Sequence, residues 1–156
     1  MRLTDQQRAQ FARDGYLFLP DQFDPEEVAA LRADIPRIFA MDREEIWREK
    51  DGTSVRTAFA AHTYSDAFGK LARHPRMVEP VRQLLGGELY VHQFKINGKA
   101  AFQGDVWQWH QDYGTWSRDD AMPTPNAMNI SVFLDDVTPV NGALMLIPRS
   151  HTDGVQ

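Results

Sequence analysis

The sequence changes pattern at the glycine pair 86–87, and this change constrains the fold more than any other feature. Before the pair, apolar residues recur at helical spacing behind cap-forming residues. After it, short apolar or alternating runs are separated by turn-rich segments. Helix signals followed by strand signals predict an α+β fold built on a β-sandwich or barrel. We expect one domain over 1–156, with a mainly helical part at 1–87 and a β part at 88–156.

Four stretches of the first part carry helix signals. Thr4 and Gln7 form a predicted capping box, and Asp24 is a predicted N-cap with a proline in the first turn behind it. Pro36 should end or kink that second helix. The predicted helices are 4–14, 24–36, 65–72 and 75–85.

Six runs rich in aromatic and β-branched residues predict strands. They are 16–20, 54–62, 88–97, 106–110, 127–137 and 143–151. The runs in the second part are too few to close two four-stranded sheets. We therefore expect the chain to be the N-terminal part of a longer protein, and its unpaired strand edges to favour a homo-oligomer.

Composition limits the chemistry that is open to the chain. Its 156 residues include no cysteine, which removes thiolate metal sites and leaves His, Asp and Glu as ligands. The formal net charge is −5 and no Lys/Arg run stands out, so nucleic acid is not an expected partner. No apolar stretch resembles a signal peptide or a membrane span, so we expect a cytoplasmic protein without a membrane partner.

The most aromatic segment, VWQWHQDYGTW at 106–116, holds a histidine and an aspartate two positions apart. On a strand, His110 and Asp112 would point to the same face and Gln111 to the other. An imidazole beside a carboxylate supplies two of the three ligands of a 2-His-1-carboxylate site for non-haem Fe(II). The motif is short, and the alternative interpretation is a simple hydrogen-bonding pair at the surface or in the core.

Two long segments resemble one enzyme family. LTDQQRAQFARDGYLFLPDQFDPEEVAALRADI resembles the opening of the phytanoyl-CoA dioxygenase family of Fe(II)/2-oxoglutarate oxygenases. The segment from VHQFKINGKAAF to ALMLIPRSH is similar to the core of that family, most of all to its ectoine hydroxylase branch. The resemblance implies a double-stranded β-helix, or jelly roll, with N-terminal helices, truncated here before its last strands. It also implies an enzyme that hydroxylates a small polar metabolite with Fe(II), O₂ and 2-oxoglutarate.

The same resemblance implies roles for individual residues. His110 and Asp112 would be the first two iron ligands, and no separate catalytic acid or base is implied. The implied co-substrate residues are Lys99, Asn97 and Ser131, and the implied substrate residues are Gln93 and Trp116. A lysine suits a dianionic acid, while an amide and an aromatic face suit a small polar compound. The alternative for these five residues is solvation, strand hydrogen bonding or sheet packing.

Several positions depart from the ectoine hydroxylase pattern, which typically reads HSDFETWH where this chain reads HQDYGTWS. Among them are Gln111, Gly114, Ser117 and Asn126, the last of which stands where an arginine is usual. We expect these changes to surround the substrate side, so that the substrate need not be ectoine itself.

The family's third iron ligand is a histidine on a late strand, and an arginine shortly after it clamps 2-oxoglutarate. Neither has a counterpart within these 156 residues. His151 matches a family position on a turn, and His62, His74 and His92 precede the motif, so we interpret all four as structural or solvated. The chain is thus expected to supply two of three ligands, and activity is expected of a longer protein.

Two alternatives to a hydroxylase remain open at this point. One is a non-catalytic jelly-roll binding module or a truncated pseudo-enzyme, in which the pocket survives without chemistry. The other is a cupin-type Mn or Zn site on the same barrel, although cupins usually place more histidines close together than the HQD motif does. A histidine and then an arginine after Gln156 would favour the hydroxylase.

Overall fold

The computed structural model of the protein describes residues 1–102 and 105–155. Helices and strands alternate over the first hundred residues, and one further helix follows. The elements are α1 (Asp5–Asp14), α2 (Pro25–Phe39), β1 (Ile46–Arg48), β2 (Val55–Phe59), α3 (Asp66–Ala72), α4 (Pro75–Leu85), β3 (Lys95–Asn97) and α5 (Asp112–Asp119). Short 3-10 turns lie at Ala61–Thr63 and Ser150–Thr152.

The predicted helices form because their end signals are local. Thr4 accepts a hydrogen bond from the backbone of Gln7, whose side chain accepts one from the backbone of Thr4, so the capping box is present. Gly15 ends α1 in the left-handed conformation at a φ of 80°. Pro36 was expected to end or kink α2; it does not end the helix, which continues to Phe39. A proline in the last turn of a helix removes a single backbone hydrogen bond.

The strands β1, β2 and β3 form one antiparallel sheet in that order. Ile46 is opposite Ala58, which is opposite Ile96, and all three side chains are buried on one face. That face joins the core that α2, α3 and α4 supply, through Leu31, Ile38, Phe68, Leu71 and Met77.

The opposite face of the sheet carries different chemistry. Trp47 is opposite Thr57, which is opposite Asn97, and Phe59 lies two residues further along β2. Because side chains alternate along a strand, these four residues share one face. We call it the ligand face.

Most of the expected β part is not strand in this structure. Of the run 88–97 only Lys95–Asn97 pairs, and the stretches 16–20, 106–110, 127–137 and 143–149 have no regular structure. The described residues therefore show helices and a small antiparallel sheet rather than a jelly roll. A helix completes its hydrogen bonds internally, whereas a strand forms only beside a partner strand. Val132 and Leu134 still pack their apolar side chains against the core.

Within the two described ranges, no helix is both long and apolar enough to cross a membrane.

Candidate metal and ligand site

His110 and Asp112 lie where an irregular segment enters α5. The strand predicted for them is absent: Asp112 is the first residue of the helix and Gln111 is its N-cap. The two side chains nevertheless meet, since Nε2 of His110 is 3.2 Å from Oδ1 of Asp112. The expected strand geometry is wrong, and the expected juxtaposition of imidazole and carboxylate is present.

The hydrogen bonds of His110 determine which ring nitrogen can bind a ligand. Its Nδ1 lies 2.7 Å from the carbonyl oxygen of Gln108. A carbonyl only accepts, so Nδ1 carries the hydrogen, and in the neutral ring Nε2 presents its lone pair to Asp112. In the neutral ring this 3.2 Å contact joins two acceptors that a metal cation can bridge, and in the protonated ring it is an ion pair. Donation from Nδ1 to a backbone carbonyl, which directs Nε2 to the ion, is the usual arrangement of a metal-ligating histidine.

The carboxylate of Asp112 is held from the other side. The side-chain amide of Asn129 donates to Oδ2 of Asp112, which leaves Oδ1 directed at His110. The N-terminus of a helix also favours a negative charge at this position. Sequence reasoning had not singled out Asn129, because it lies 17 positions away from its partner.

The donor set suits a divalent metal but is incomplete. Two donor atoms that each lie about 2.1 Å from one octahedral ion are about 3 Å apart when adjacent, which matches the observed separation of Nε2 and Oδ1. Across the described part of the chain, no group of three or more His, Asp or Glu side chains is placed to hold a metal ion. His110 and Asp112 therefore fit two positions of a metal site.

Trp116 lies one helical turn beyond Asp112 and is buried. The ring of His92 meets it edge-on at 5.0 Å between centroids, and Nε2 of His92 lies 3.0 Å from Oδ2 of Asp120. The segment before β3 thereby contacts the C-terminal end of α5, whereas His110 and Asp112 lie at the start of that helix. Sequence reasoning had treated His92 as structural or solvated, and these contacts give it an orienting role.

Asn97 lies on the ligand face, and its Oδ1 accepts a hydrogen bond from Oγ1 of Thr57 at 3.1 Å. Lys99, two residues further on, is exposed, and its aliphatic stem passes over Gly142. Ser131 is exposed on an irregular segment. The structure thus places Asn97 and Lys99 on neighbouring positions of one stretch and Ser131 on a separate irregular segment.

A cleft of about 480 Å³ opens beside the ligand face, and Gln93 is one of its lining residues. The others are Glu44, Glu45, Trp47 and Phe59. The rings of Trp47 and Phe59 meet edge-to-face with centroids 4.9 Å apart, so they form one aromatic wall. The signal that sequence reasoning missed was the alternation in β2, which places Phe59 on the face opposite the buried Ala58.

A charged network anchors the segment that leads to His110. The guanidinium of Arg56 stacks 4.0 Å from the ring centroid of Trp107 and pairs with Glu49 at 3.0 Å. Glu49 also accepts from the backbone of Asp105. The Lys50 ammonium, 2.6 Å from Asp105, lowers the pKa of that carboxyl. Trp107 thereby connects this segment to the sheet.

Two of the departures from the expected pattern lie away from the cleft. The side-chain amide of Gln111 donates to the carbonyl of Gly154 at 3.0 Å, and a Cβ on Gly114 would lie 3.4 Å from Val155. His151, in the same terminal segment, contacts the carbonyl of Ala12 at the end of α1. Gln111 and Gly114 thus contact the 150–155 segment, and the expectation that the departures surround the substrate side stays a prediction.

Comparison with known proteins adds a family match that covers most of the chain. The phytanoyl-CoA dioxygenase family matches residues 11–156. Among curated proteins, an ectoine dioxygenase from Bordetella parapertussis is 42% identical over 153 residues, covering 96% of this chain and 50% of the relative. An L-proline trans-4-hydroxylase from Streptomyces griseoviridis is 40% identical over 148 residues, covering 95% of this chain and 55% of the relative. The chain spans about half the length of these relatives.

Comparison with solved structures also finds similar chains. EctD from S. alaskensis with 2-oxoglutarate and 5-hydroxyectoine has a TM-score of 0.74 and 36% identity, covering 78% of this chain and 44% of that one. EctD from S. alaskensis with bound Fe has a TM-score of 0.69 at 36% identity, over 73% of this chain and 42% of that one.

Proposed function

Because the chain belongs to the phytanoyl-CoA dioxygenase family, we propose that the whole protein is an Fe(II)/2-oxoglutarate-dependent hydroxylase of a small polar metabolite. The observation that carries the proposal is the pair formed by Nε2 of His110 and Oδ1 of Asp112, 3.2 Å apart. Two structures of EctD from S. alaskensis, one with bound Fe and one with 2-oxoglutarate, support the choice of metal and co-substrate. The non-catalytic alternative has no comparable support.

His110 and Asp112 would hold the metal, and each is prepared for that role by a neighbour. Donation from Nδ1 to the carbonyl of Gln108 keeps the lone pair on Nε2, and the Asn129 amide leaves Oδ1 of Asp112 free. Bound there with 2-oxoglutarate, Fe(II) would supply the activation of O₂ that hydroxylation requires. The remaining positions of the metal would be available to the co-substrate, to O₂ and to a ligand from elsewhere in the whole protein.

Asn97, Lys99 and Ser131 would bind 2-oxoglutarate. An amide N–H and an ammonium are the donors that a carboxylate needs, and Asn97 and Lys99 offer both from one extended stretch. Ser131 would join them once the irregular segment around it is paired with a neighbouring strand.

Gln93 and Trp116 would hold the substrate, with the cleft beside Gln93 as its entrance. The aromatic wall of Trp47 and Phe59 would cover an apolar part of the substrate, and the Gln93 amide would bind a polar group. The relatives are named for ectoine and for L-proline. We therefore propose a compact polar metabolite of similar size.

We also propose that the residues 88–156 form the first half of a jelly-roll core in the whole protein. The similarity to the EctD structures supports this, since it extends over 78% of the chain. The apolar side chains of Leu144, Met145, Leu146 and Ile147, each more than half exposed, would be covered in such a core.

Anaerobic titration of the natural full-length protein with Fe(II) and 2-oxoglutarate tests the proposal. A weak visible charge-transfer band should appear and should be lost in His110→Ala and in Asp112→Ala. His151→Ala is the matched control, because that ring contacts the end of α1. A band that survives both substitutions of the pair would show that the metal is held elsewhere, and the absence of any band in the wild type would reject the function.

A further inference from the structure

We propose that Thr57 is a positioning residue that orients the Asn97 amide toward 2-oxoglutarate. The inference rests on the proposed function, because it assumes that Asn97 contacts the co-substrate. Thr57 is only 3% exposed, which makes it one of the few buried polar residues of the chain. A buried hydroxyl is retained at little cost only where it has a hydrogen-bond partner, and here that partner is a candidate ligand-binding side chain.

The strand register brings the two side chains together. Gly98 donates its N–H to the carbonyl of Arg56, and Ala60 donates to Phe94, so these pairs exchange backbone hydrogen bonds. In an antiparallel ladder such pairs alternate with pairs that lack backbone hydrogen bonds and hold their side chains closer. Thr57 and Asn97 occupy one of those closer positions. Their contact is therefore a fixed consequence of the ladder.

Gly98 permits the close approach of the strands at this register. A Cβ at this position would lie 2.5 Å from the carbonyl oxygen of Val55 and 3.3 Å from the ring of Phe39. Only a glycine lets β3 approach β2 so closely at this point. The contact between Asn97 and Thr57 therefore depends on this glycine.

In its hydrogen bond with Thr57, the amide has one defined orientation. The Thr57 hydroxyl donates to Oδ1 of Asn97, so the Nδ2 hydrogens point away from β2 and remain available. Asn97 is exposed, and Lys99, two residues further along the chain, is exposed as well. A carboxylate ligand would meet two donors and no competing carbonyl oxygen. If the amide were rotated by half a turn, its oxygen would face the carboxylate and repel it.

The experiment measures 2-oxoglutarate binding by calorimetry in the natural full-length protein, with Mn(II) in place of iron to prevent turnover. Thr57→Val keeps the shape of the side chain and removes the hydroxyl, so the dissociation constant should rise roughly fivefold. Thr57→Ser restores the donor and should stay within about twofold of wild type. Mn(II) affinity should be unchanged in both variants.

A second background separates positioning from a general packing effect. In Asn97→Ala there is no amide to orient, so Thr57→Val should cause no further loss of 2-oxoglutarate affinity. An equal loss in both backgrounds, or no loss in either, would overturn the proposal.

The third readout needs neither metal nor ligand. In nuclear magnetic resonance spectra of the 156-residue chain, the Asn97 side-chain amide signals should shift in Thr57→Val and return in Thr57→Ser. Unmoved signals would overturn the orienting role. Wild-type protein that fails to bind 2-oxoglutarate would instead reject the proposed function, and with it the co-substrate half of this inference.

Discussion

The region 1–98 and the region 105–155 have similar proportions of apolar residues but bury them to different extents. Apart from Trp116, the buried apolar residues all lie in the first region. Thirteen of the seventeen large exposed hydrophobic side chains lie at position 102 or beyond, so the apolar runs of the second region are largely uncovered. The contrast shows that an apolar run becomes core only when a neighbouring element covers it.

Helices explain why the first region packs. Each of α1 to α4 carries its own caps and closes its own backbone hydrogen bonds, and it then needs only a face to bury. The second region has one helix, and its strand-like runs depend on partners distant in sequence. The site pair lies at the junction between these two kinds of structure.

The largest expected difference between the regions comes from a matched pair of isoleucines. Ile38 is fully buried in the core and Ile147 is 57% exposed. Ile38→Ala should lower the free energy of unfolding by about 2–5 kcal/mol, because it leaves a cavity among fixed neighbours. Ile147→Ala should change it by no more than about 0.5 kcal/mol. Urea denaturation followed by circular dichroism measures both, and similar losses would show that the second region is packed after all.

A pair of glycines gives the next largest contrast. Gly98→Ala would place a Cβ 2.5 Å from the carbonyl oxygen of Val55 and should cost about 1–3 kcal/mol of stability. Gly114 lies inside α5, where the nearest neighbour of a new Cβ is 3.4 Å away. Gly114→Ala should be neutral or stabilise by up to about 1 kcal/mol through helix propensity. Thermal unfolding of both variants decides the comparison, and a destabilised Gly114→Ala would mean that α5 is confined more tightly than the contacts indicate.

The uncovered segment of the second region should mediate self-association. Leu144, Met145, Leu146 and Ile147 form a contiguous exposed apolar stretch, which we expect to bind hydrophobic dyes and to associate at high protein concentration. Leu146→Lys should reduce both effects. Thr124→Lys adds the same charge elsewhere and serves as the control. Size-exclusion chromatography with light scattering measures the outcome, and a monomer that stays monodisperse in the wild type would contradict it.

The smallest effect is a pH dependence confined to the first region. Burial lowers the pKa of His62 below its usual 6.5, with Arg73 adding to the shift. As pH falls below 6.5, the unfolded chain takes up a proton that the folded chain resists, so stability should decline. The loss should be complete once the pH lies below the folded-state pKa. Denaturation midpoints at several pH values measure it.

His62→Gln is the control for this pH dependence. It removes the titrating ring, so this part of the decline should disappear. A decline of the same size in the variant would assign the pH dependence to other groups. The Asp51 carboxyl titrates at lower pH values than His62. Its pKa is lowered to about 2 by the Ser54 hydroxyl and nearby backbone N–H groups.

Helix ends were the features that could be predicted most closely. The capping box at Thr4 and the bounds of α4 follow from side chains within a few residues of the helix start. The strands around 127–137 and 143–149 were predicted from period and composition alone, and the structure does not form them. The alternation of apolar and polar residues indicates which side chains a strand would bury, but it does not identify the neighbouring strand that would pair with it.

For the site, the residue types could be predicted from the sequence, but the geometry could not. The H-x-D spacing identified His110 and Asp112, although by way of a strand that does not exist. Their closeness arises from the turn into α5 and from the bond between His110 and Gln108. Neither of these could be inferred from the period of a strand.

The sequence by itself determined the helices α1 to α4 and the types of side chain that could serve as ligands, because both depend on residue identity and on neighbours within a turn or two. Only the tertiary structure decided that Thr57 faces Asn97, that Asn129 holds Asp112 and that Gln111 contacts the 150–155 segment. These contacts join residues 17 to 43 positions apart. The physical reason is that each depends on a strand register or a loop path, which many distant contacts fix together and no short sequence pattern encodes.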